Sequence, residues 1–241
     1  YLIGDSTIQY NDILTYPHTG WGQMLSLMLK PEYTHNVLNY AKNGMSSKSF
    51  YDLGLFEPVS KTIESGDLLL IQFGHNDQKE DLDRRTDPYS TYQMYLKKYI
   101  MRAKEVGAIP VLITSLARRN FDVAGNLLNS HGDFPEAMRA LSLSEGVLCI
   151  DLNALSMSRI MQVGEDESKK WYMHIPKDVY PNYPDGVIDN THLSPEGALV
   201  FAGLVASALK KCLEEINFNT DFMLNFEKSI SIRTYRKEIK R

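Results

Sequence analysis

Asp67-Leu68-Leu69-Leu70-Ile71-Gln72-Phe73-Gly74-His75-Asn76-Asp77 is the stretch on which the fold turns. It opens as a short apolar run, Asp67–Phe73, and ends in a Gly-led polar turn. Such a run, bounded by turn residues, reads as a strand. Similar runs occur on both sides. Tyr1–Gly4, Asn36–Tyr40, Ile109–Thr114 and Val147–Asp151 are further strand candidates, and the longer segments between them repeat apolar residues with a helical period near 3.6. Alternation of this kind marks a parallel sheet flanked by helices.

Five such strands predict an α/β fold, a flavodoxin-like three-layer sandwich with a five-stranded parallel sheet and helices on both faces. Ligands of such sheets bind beyond the carboxyl ends of the strands. One predicted helix has an N-cap and first-turn proline at Asp87-Pro88. Tyr92, Tyr95, Leu96, Tyr99, Ile100 and Ala103 recur on one face as core, and Gly107 closes the helix. The last helix starts at Ser194-Pro195 and is expected to bury Phe201, Leu204, Val205, Ala208, Leu209 and Cys212. Two long segments, Leu116–Pro135 and about Glu165 to Asn190, break the alternation. Loops of that length are usually functional or disordered, and the aromatic content of the second argues against disorder.

The chain has 241 residues, 43% hydrophobic and 23% charged, which suits one domain, 1–241, with about 217–241 as a C-terminal extension. Within that extension Ser229–Tyr235 alternates like an edge strand and 236–241 is basic; a solvated terminus is expected. No apolar run approaches the ~18–20 residues that cross a bilayer. A net charge of −4 argues against a general nucleic-acid binder, so neither nucleic acid nor membrane is an expected partner. Cys149 and Cys212 both fall in apolar patterns and are expected to be buried free thiols. Because Tyr1 begins inside a strand, a cleaved or deleted upstream segment is expected, with an extracellular or periplasmic location.

Four short blocks stand at the edge where this fold binds ligands. Gly4-Asp5-Ser6 follows the first strand and places a hydroxyl there. Asn39–Gly44 follows the second, and Gly44 lets a main-chain N–H approach a ligand without an intervening side chain. Gly74-His75-Asn76-Asp77 follows the third, with the Asn76 carboxamide as donor. Asp189-Asn190-Thr191-His192 precedes the last helix, and a carboxylate three residues before a histidine can reach back to its ring and fix the tautomer. Taken singly, each block is an ordinary turn. Together they supply a nucleophile, a base, its orienting acid and oxyanion donors, the components of acyl transfer.

These blocks, in this order, resemble those of the SGNH (GDSL) hydrolases. The resemblance implies that Ser6 is the nucleophile, His192 the base and Asp189 its partner. The N–H groups of Ser6 and Gly44 and the Asn76 side chain would form the oxyanion hole, with no metal and no organic cofactor. Tyr1–Thr7, Gly20-Trp21-Gly22-Gln23, Ser46–Phe50 and Arg118-Arg119-Asn120-Phe121 are similar to rhamnogalacturonan acetylesterases, which remove acetyl esters from galacturonate-containing pectin. Met45 departs from that pattern, where a small residue or arginine is expected.

The expected substrate is therefore an acetylated polysaccharide or oligosaccharide, with Trp21, His75, Arg118 and Arg119 as substrate-binding candidates. An arginine fork suits a carboxylate and an indole suits a sugar face. Arg84 and Arg85 read as solvated charges. A lipase or thioesterase using the same residues is the nearest alternative, although neither long loop carries an apolar lid. A non-catalytic carbohydrate-binding protein would be expected to lack one of the blocks. A phosphate-binding relative would need a glycine-rich cradle, and the first turn has none.

Overall fold

The computed structural model describes residues 1–224; the expectations for 229–241 lie outside the described residues. Four parallel strands, β1 (Leu2–Gly4), β2 (Leu68–Gln72), β3 (Ile109–Ile113) and β4 (Leu148–Ile150), pair in the order β1-β2-β3-β4. Their register aligns Leu2 with Leu70, Leu70 with Val111 and Val111 with Leu148. Successive side chains on a strand point to opposite faces, so each face acquires its own core.

On one face, Leu2, Leu70 and Val111 pack with Trp21 of α1 (Trp21–Met24), Ile160 of α6 (Leu152–Ser168) and Phe201 of α7 (Pro195–Glu215). On the other, Ile3, Ile71 and Leu112 meet four helices. These contribute Phe50 of α2 (Ser47–Asp52), Val59 of α3 (Glu57–Thr62), Tyr99 of α4 (Gln93–Glu105) and Met138 of α5 (Phe134–Glu145). Among the described residues no helix is long and apolar enough to cross a membrane.

The expected fifth strand, Asn36–Tyr40, is reduced to a single bridge between Leu2 and Asn39, flanked by Leu2 N–H to Leu38 O and Tyr40 N–H to Leu2 O, both 2.9 Å. Two local causes shorten it. Pro31–Asn36 is a 3-10 helix. The Asn39 side chain accepts Ala41 N–H at 3.0 Å and donates to Ile8 O at 2.6 Å, turning the chain away from the sheet.

The tyrosine face of α4 is core: Tyr92, Tyr95, Leu96, Tyr99, Ile100 and Ala103 are all buried. Asp87, however, makes no side-chain cap; a π turn over Pro88–Tyr92 opens the helix, with Tyr92 N–H on Asp87 O at 3.0 Å. The buried stripe of α7 is rotated from the expected one. Ala202, Ala206 and Leu213 join Phe201, Val205 and Leu209, while Leu204, Ala208 and Cys212 are only partly covered. Cys149 and Cys212 are free, and half-buried rather than buried.

The second long segment is ordered. α6 reaches Ser168, with Gly164 outside helical geometry, and an antiparallel hairpin follows, β5 (Tyr172–Ile175) with β6 (Val187–Leu193). The hairpin matters most for the site, because β6 carries Asp189 and His192.

Candidate active site

The turn after β1 is built around a buried network. Gly4 approaches β2 so closely that a Cβ there would lie 2.3 Å from Gln72 O, which leaves room for glycine alone. Beyond it the Asp5 carboxylate accepts Thr7 N–H at 2.9 Å and Thr7 Oγ1–H at 2.8 Å. Gln72 Nε2 donates to Thr7 Oγ1 at 2.6 Å, and Trp21 Nε1–H donates to Gln72 Oε1 at 3.0 Å. Trp21 is fully buried. This corrects the expectation that its indole stacks on a sugar: the ring is core, and its one polar atom braces the turn that presents Ser6.

Asp189 and His192 do not sit in a simple helix-entry turn. β5 pairs Tyr172 with Leu193 and Met173 with Asp189, so Asn190, Thr191 and His192 are extra residues on β6, looped out of the ladder. Such a bulge re-aims side chains. Asp189 Oδ1 closes it by accepting the N–H groups of Thr191 at 2.7 Å and His192 at 3.1 Å. Asp189 Oδ2 meets His192 Nδ1 at 2.7 Å, and His192 Nε2 meets Ser6 Oγ at 3.0 Å. Burial pushes the Asp189 carboxyl upward, but the hydrogen bond and charge of His192 and the two N–H groups outweigh it and bring it to about 2. The acid is therefore an anion at neutral pH, able to hold Nδ1 protonated and leave Nε2 for the hydroxyl.

The other two blocks are Asn39–Gly44 and Gly74–Asp77. Gly44 has φ of 77°, and a Cβ there would meet nothing within 4 Å, so its main chain is open to a ligand. The Asn76 carboxamide is held by one Nδ2–H on Met45 O at 3.1 Å. Met45, the departure from the expected pattern, thus contributes through its carbonyl, which any residue supplies. Asp77 ties the two loops together by accepting Ser47 N–H at 3.0 Å, the Ser47 hydroxyl, and Thr86 Oγ1–H at 3.1 Å. Burial raises Asp77 to about 7 and Asp5 to about 6 against these hydrogen bonds.

His75 is enclosed, only 3% exposed, with neither ring nitrogen hydrogen-bonded to protein and its ring edge-on to His131 at 4.5 Å. Burial, then His131 and Arg118, hold it well below the usual histidine range. As a substrate contact it would have to be uncovered first. Arg118 is half-buried and donates to His75 O at 3.2 Å and Ser130 O at 3.3 Å.

Arg119 differs from the expectation. Its side chain is 4% exposed, and its guanidinium donates to Glu165 O (2.7 Å), Ser168 Oγ (3.1 Å) and Asn190 Oδ1 (3.2 Å). It clamps the bulge from behind, so the structure gives it a positioning place rather than a substrate-facing one. Arg84 makes an exposed ion pair with Asp81 at 2.7 Å.

His18 was not marked by any motif or spacing. Its ring stands edge-on to His192 with centroids 4.7 Å apart, and its Nε2 is buried without a protein partner. Burial first, then His192, lower it to about 4, so the ring beside the base is uncharged at neutral pH.

A hydroxyl, an imidazole and a carboxylate in hydrogen-bonded series, at the carboxyl edge of a parallel sheet, form the arrangement used by serine hydrolases. Residues 2–200 match the GDSL-like Lipase/Acylhydrolase family, and the chain belongs to that family. It is 41% identical to a rhamnogalacturonan acetylesterase of Bacillus subtilis (strain 168), over 88% of this chain and 89% of the relative. It is 25% identical to a rhamnogalacturonan acetylesterase of Emericella nidulans, over 92% and 90%. The crystal structure of an acetylxylan esterase from Geobacillus stearothermophilus superposes with a TM-score of 0.58 at 15% identity, covering 90% of this chain and 93% of that one, a likeness of fold.

Proposed function

We propose that this protein is a serine esterase that releases acetyl groups from a pectin-type polysaccharide, acetylated rhamnogalacturonan, through an acetyl-enzyme. The observation that carries the reading is the unbroken series Ser6 Oγ, His192 Nε2, His192 Nδ1, Asp189 Oδ2, with contacts of 3.0 and 2.7 Å. The substrate follows from the rhamnogalacturonan acetylesterase named above. Counting the Asn39 bridge as a second strand, the sheet order is that of flavodoxin-like folds, which supports that arrangement for the frame.

In the first step His192 Nε2 takes the Ser6 proton as Oγ attacks the ester carbonyl. Asp189 stabilises the imidazolium that results. The carbonyl oxygen becomes an oxyanion facing the N–H groups of Ser6 and Gly44 and the Asn76 carboxamide. His192 then gives its proton to the sugar oxygen as the C–O bond breaks. Water, deprotonated by His192, attacks the acetyl-enzyme, releasing acetate and restoring Ser6. Arg118 is the cation we assign to a galacturonate carboxylate, because it is half-buried beside the Gly74–Asp77 block and lies within the field of Asp5 and Asp189. A polymeric substrate of this kind fits an extracellular or periplasmic enzyme.

The test is acetate release from acetylated pectin, acetylated xylan and a medium-chain nitrophenyl ester, compared side by side, with Ser6→Ala as control. Acetylated pectin is expected to give the highest kcat/KM, and Ser6→Ala to abolish turnover on all three. Preference for the medium-chain ester would replace the acetylesterase reading by a lipase-type one.

A further inference from the structure

The base is tethered differently in the two halves of the cycle. Before attack, His192 Nδ1 is held by Asp189 at 2.7 Å and Nε2 by Ser6 Oγ at 3.0 Å. In the acetyl-enzyme Ser6 Oγ is an ester oxygen with no proton to donate, so of these two contacts only the one to Asp189 remains. The terminal torsion of a histidine has broad wells, and a ring tethered at one nitrogen can swing the other. Deacylation nevertheless needs Nε2 in place. A water gives it a proton as the water oxygen bonds to the acetyl carbon, and that proton passes to Ser6 Oγ as the acyl C–O bond breaks. A group other than Ser6 must steady the ring for that step.

The segment from Thr15 to Trp21 is placed to supply one. Thr19 N–H donates to Leu193 O at 3.0 Å, beside the base, and Trp21 N–H donates to Thr7 O at 2.8 Å, beside the nucleophile. His18 N–H closes a turn on Thr15 O at 2.8 Å, and Thr19 Oγ1–H donates to Pro17 O at 2.9 Å. Gly20 lies directly on the Ser6 turn, where a Cβ would stand 2.3 Å from Gln9 O. The β5–β6 connection holds the other end, with Asn182 Nδ2 on Tyr16 O at 2.9 Å and Tyr183 OH on Thr15 O at 3.1 Å. These contacts strap the nucleophile's turn to the base's strand, and no step of the reaction uses them.

His18 stands on this strap. Its ring meets that of His192 with centroids 4.7 Å apart and planes at 66°, within the range of about 4.5–7 Å for edge-to-face pairs. Both nitrogens of His192 are engaged by the triad, and His18 Nε2 is buried with no protein partner, so the contact is one of ring against ring. Burial, then His192, keep His18 uncharged, although Asp189 and the Ser6 main chain pull the other way. It therefore adds no repulsion when His192 becomes imidazolium.

We propose that His18 is a positioning residue that holds the His192 ring through deacylation, when Ser6 no longer does. This rests on the serine-esterase reading above and deepens it, assigning the strap to one half-reaction. Acylation by nitrophenyl acetate, by contrast, begins with His192 held at both nitrogens, and nitrophenolate leaves without taking a proton. The two half-reactions therefore differ in their need for His18.

Enzyme in excess over nitrophenyl acetate separates them. Nitrophenolate release reads acylation, and decay of the acetylated protein mass in quenched samples reads deacylation. His18→Ala is expected to slow deacylation by up to about 10²-fold, the cost of displacing a catalytic group by about 1 Å, and to slow acylation far less. His18→Phe keeps a flat ring and is expected to restore most of the deacylation rate, with melting curves to check the fold. Should His18→Ala not fold, His18→Leu, which fills the space without a flat face, is measured in its place with the same expectation. Equal slowing of both steps, unslowed deacylation, or a phenylalanine variant as slow as the truncated one overturns the role. An unmutated protein that never gains an acetyl group on Ser6 would instead overturn the esterase reading itself.

Discussion

Replacing Arg119 by alanine separates a clamp from a substrate contact. The guanidinium donates to the Glu165 carbonyl, Ser168 Oγ and Asn190 Oδ1, and it lies over the Phe121 ring at 5.3 Å. The ion pair with Glu165 adds little, because that carboxylate is 51% exposed and such pairs contribute about 0–1 kcal/mol. Hydrogen bonds from a charged donor contribute about 1.5–3 kcal/mol each and are not additive when they share one group. A loss of about 3 kcal/mol follows, a fall in Tm of about 6–12 °C for a protein of this size. Asn190 Oδ1 also meets His174 Nε2 at 2.7 Å, and Asn190 O accepts the main-chain N–H of residue 119 at 2.8 Å, so the bulge keeps two tethers. It is nevertheless released on the side that bears on Asp189, and a misplacement of about 1 Å at a catalytic group costs about 10²-fold in rate. Arg119→Ala is therefore expected to lower Tm and to lower kcat on acetylated pectin and on nitrophenyl acetate by similar factors. Arg118→Ala, which gives up hydrogen bonds to His75 O and Ser130 O, is also expected to lower Tm, but to raise KM on acetylated pectin well above its effect on nitrophenyl acetate. Thermal melts and steady-state kinetics on the two substrates decide it. An Arg119→Ala protein with unaltered Tm and a KM raised only for pectin would refute the clamp.

Asn76→Ala is expected to cut kcat by about 10²–10³-fold with little change in KM, because the oxyanion exists only after attack; unchanged turnover with a raised KM rules out that role. Stability should fall as pH rises from about 4 to about 7, because burial raises Asp5 to about 6 and Asp77 to about 7 from the ordinary aspartate value of 3.8. Over that window the folded state binds more protons than the unfolded chain, so ionisation works against folding. Urea melts from pH 5 to 8 read this slope, Asp77→Asn should flatten it, and a slope indifferent to that change would show that the carboxyls do not titrate there. Asp189 works the other way: lowered to about 2, its contribution is present above about 4 and lost as pH falls from there to about 2. His18→Lys sets a cation against the ring that becomes imidazolium and should lower kcat on both substrates more than His18→Phe does; equal losses would mean that only the shape of the ring matters.

What was legible in the sequence divides by where each side chain finds its partners. β2 and β3 are continuous apolar runs because both their faces are covered, and they read clearly. Asn36–Tyr40 reads just as clearly, yet it is stopped by its own Asn39 and by the 3-10 helix before it, local polar contacts that an apolar pattern does not register. The β5–β6 hairpin was missed for a physical reason. His174, Asp189 and Asn190 put polar groups into the strands, and three looped-out residues break the two-residue period, so nothing in the pattern marks them as paired.

The site shows the same division. Asp189 and His192 lie three residues apart, and their contact is readable from spacing. Ser6 and His192 lie 186 residues apart, but Ser6 follows the first strand of a predictable sheet and His192 stands just before the last helix, so the fold class together with the order of the blocks suggests their meeting before any coordinate is known. Trp21 and Arg119 lack both advantages. The Trp21 partner Gln72 is 51 residues away, and Arg119 meets Glu165 and Asn190 at separations of 46 and 71. An indole beside a catalytic turn and an arginine opening a long loop have the same residue types whether they face a glycan or brace the turn that faces it. Only the distant carboxamide and carbonyls that take their hydrogens distinguish the two, which is why Trp21 and Arg119 become supports, whereas Arg118, itself held by the carbonyls of His75 and Ser130, is assigned to the substrate only as a proposal that its kinetics decide.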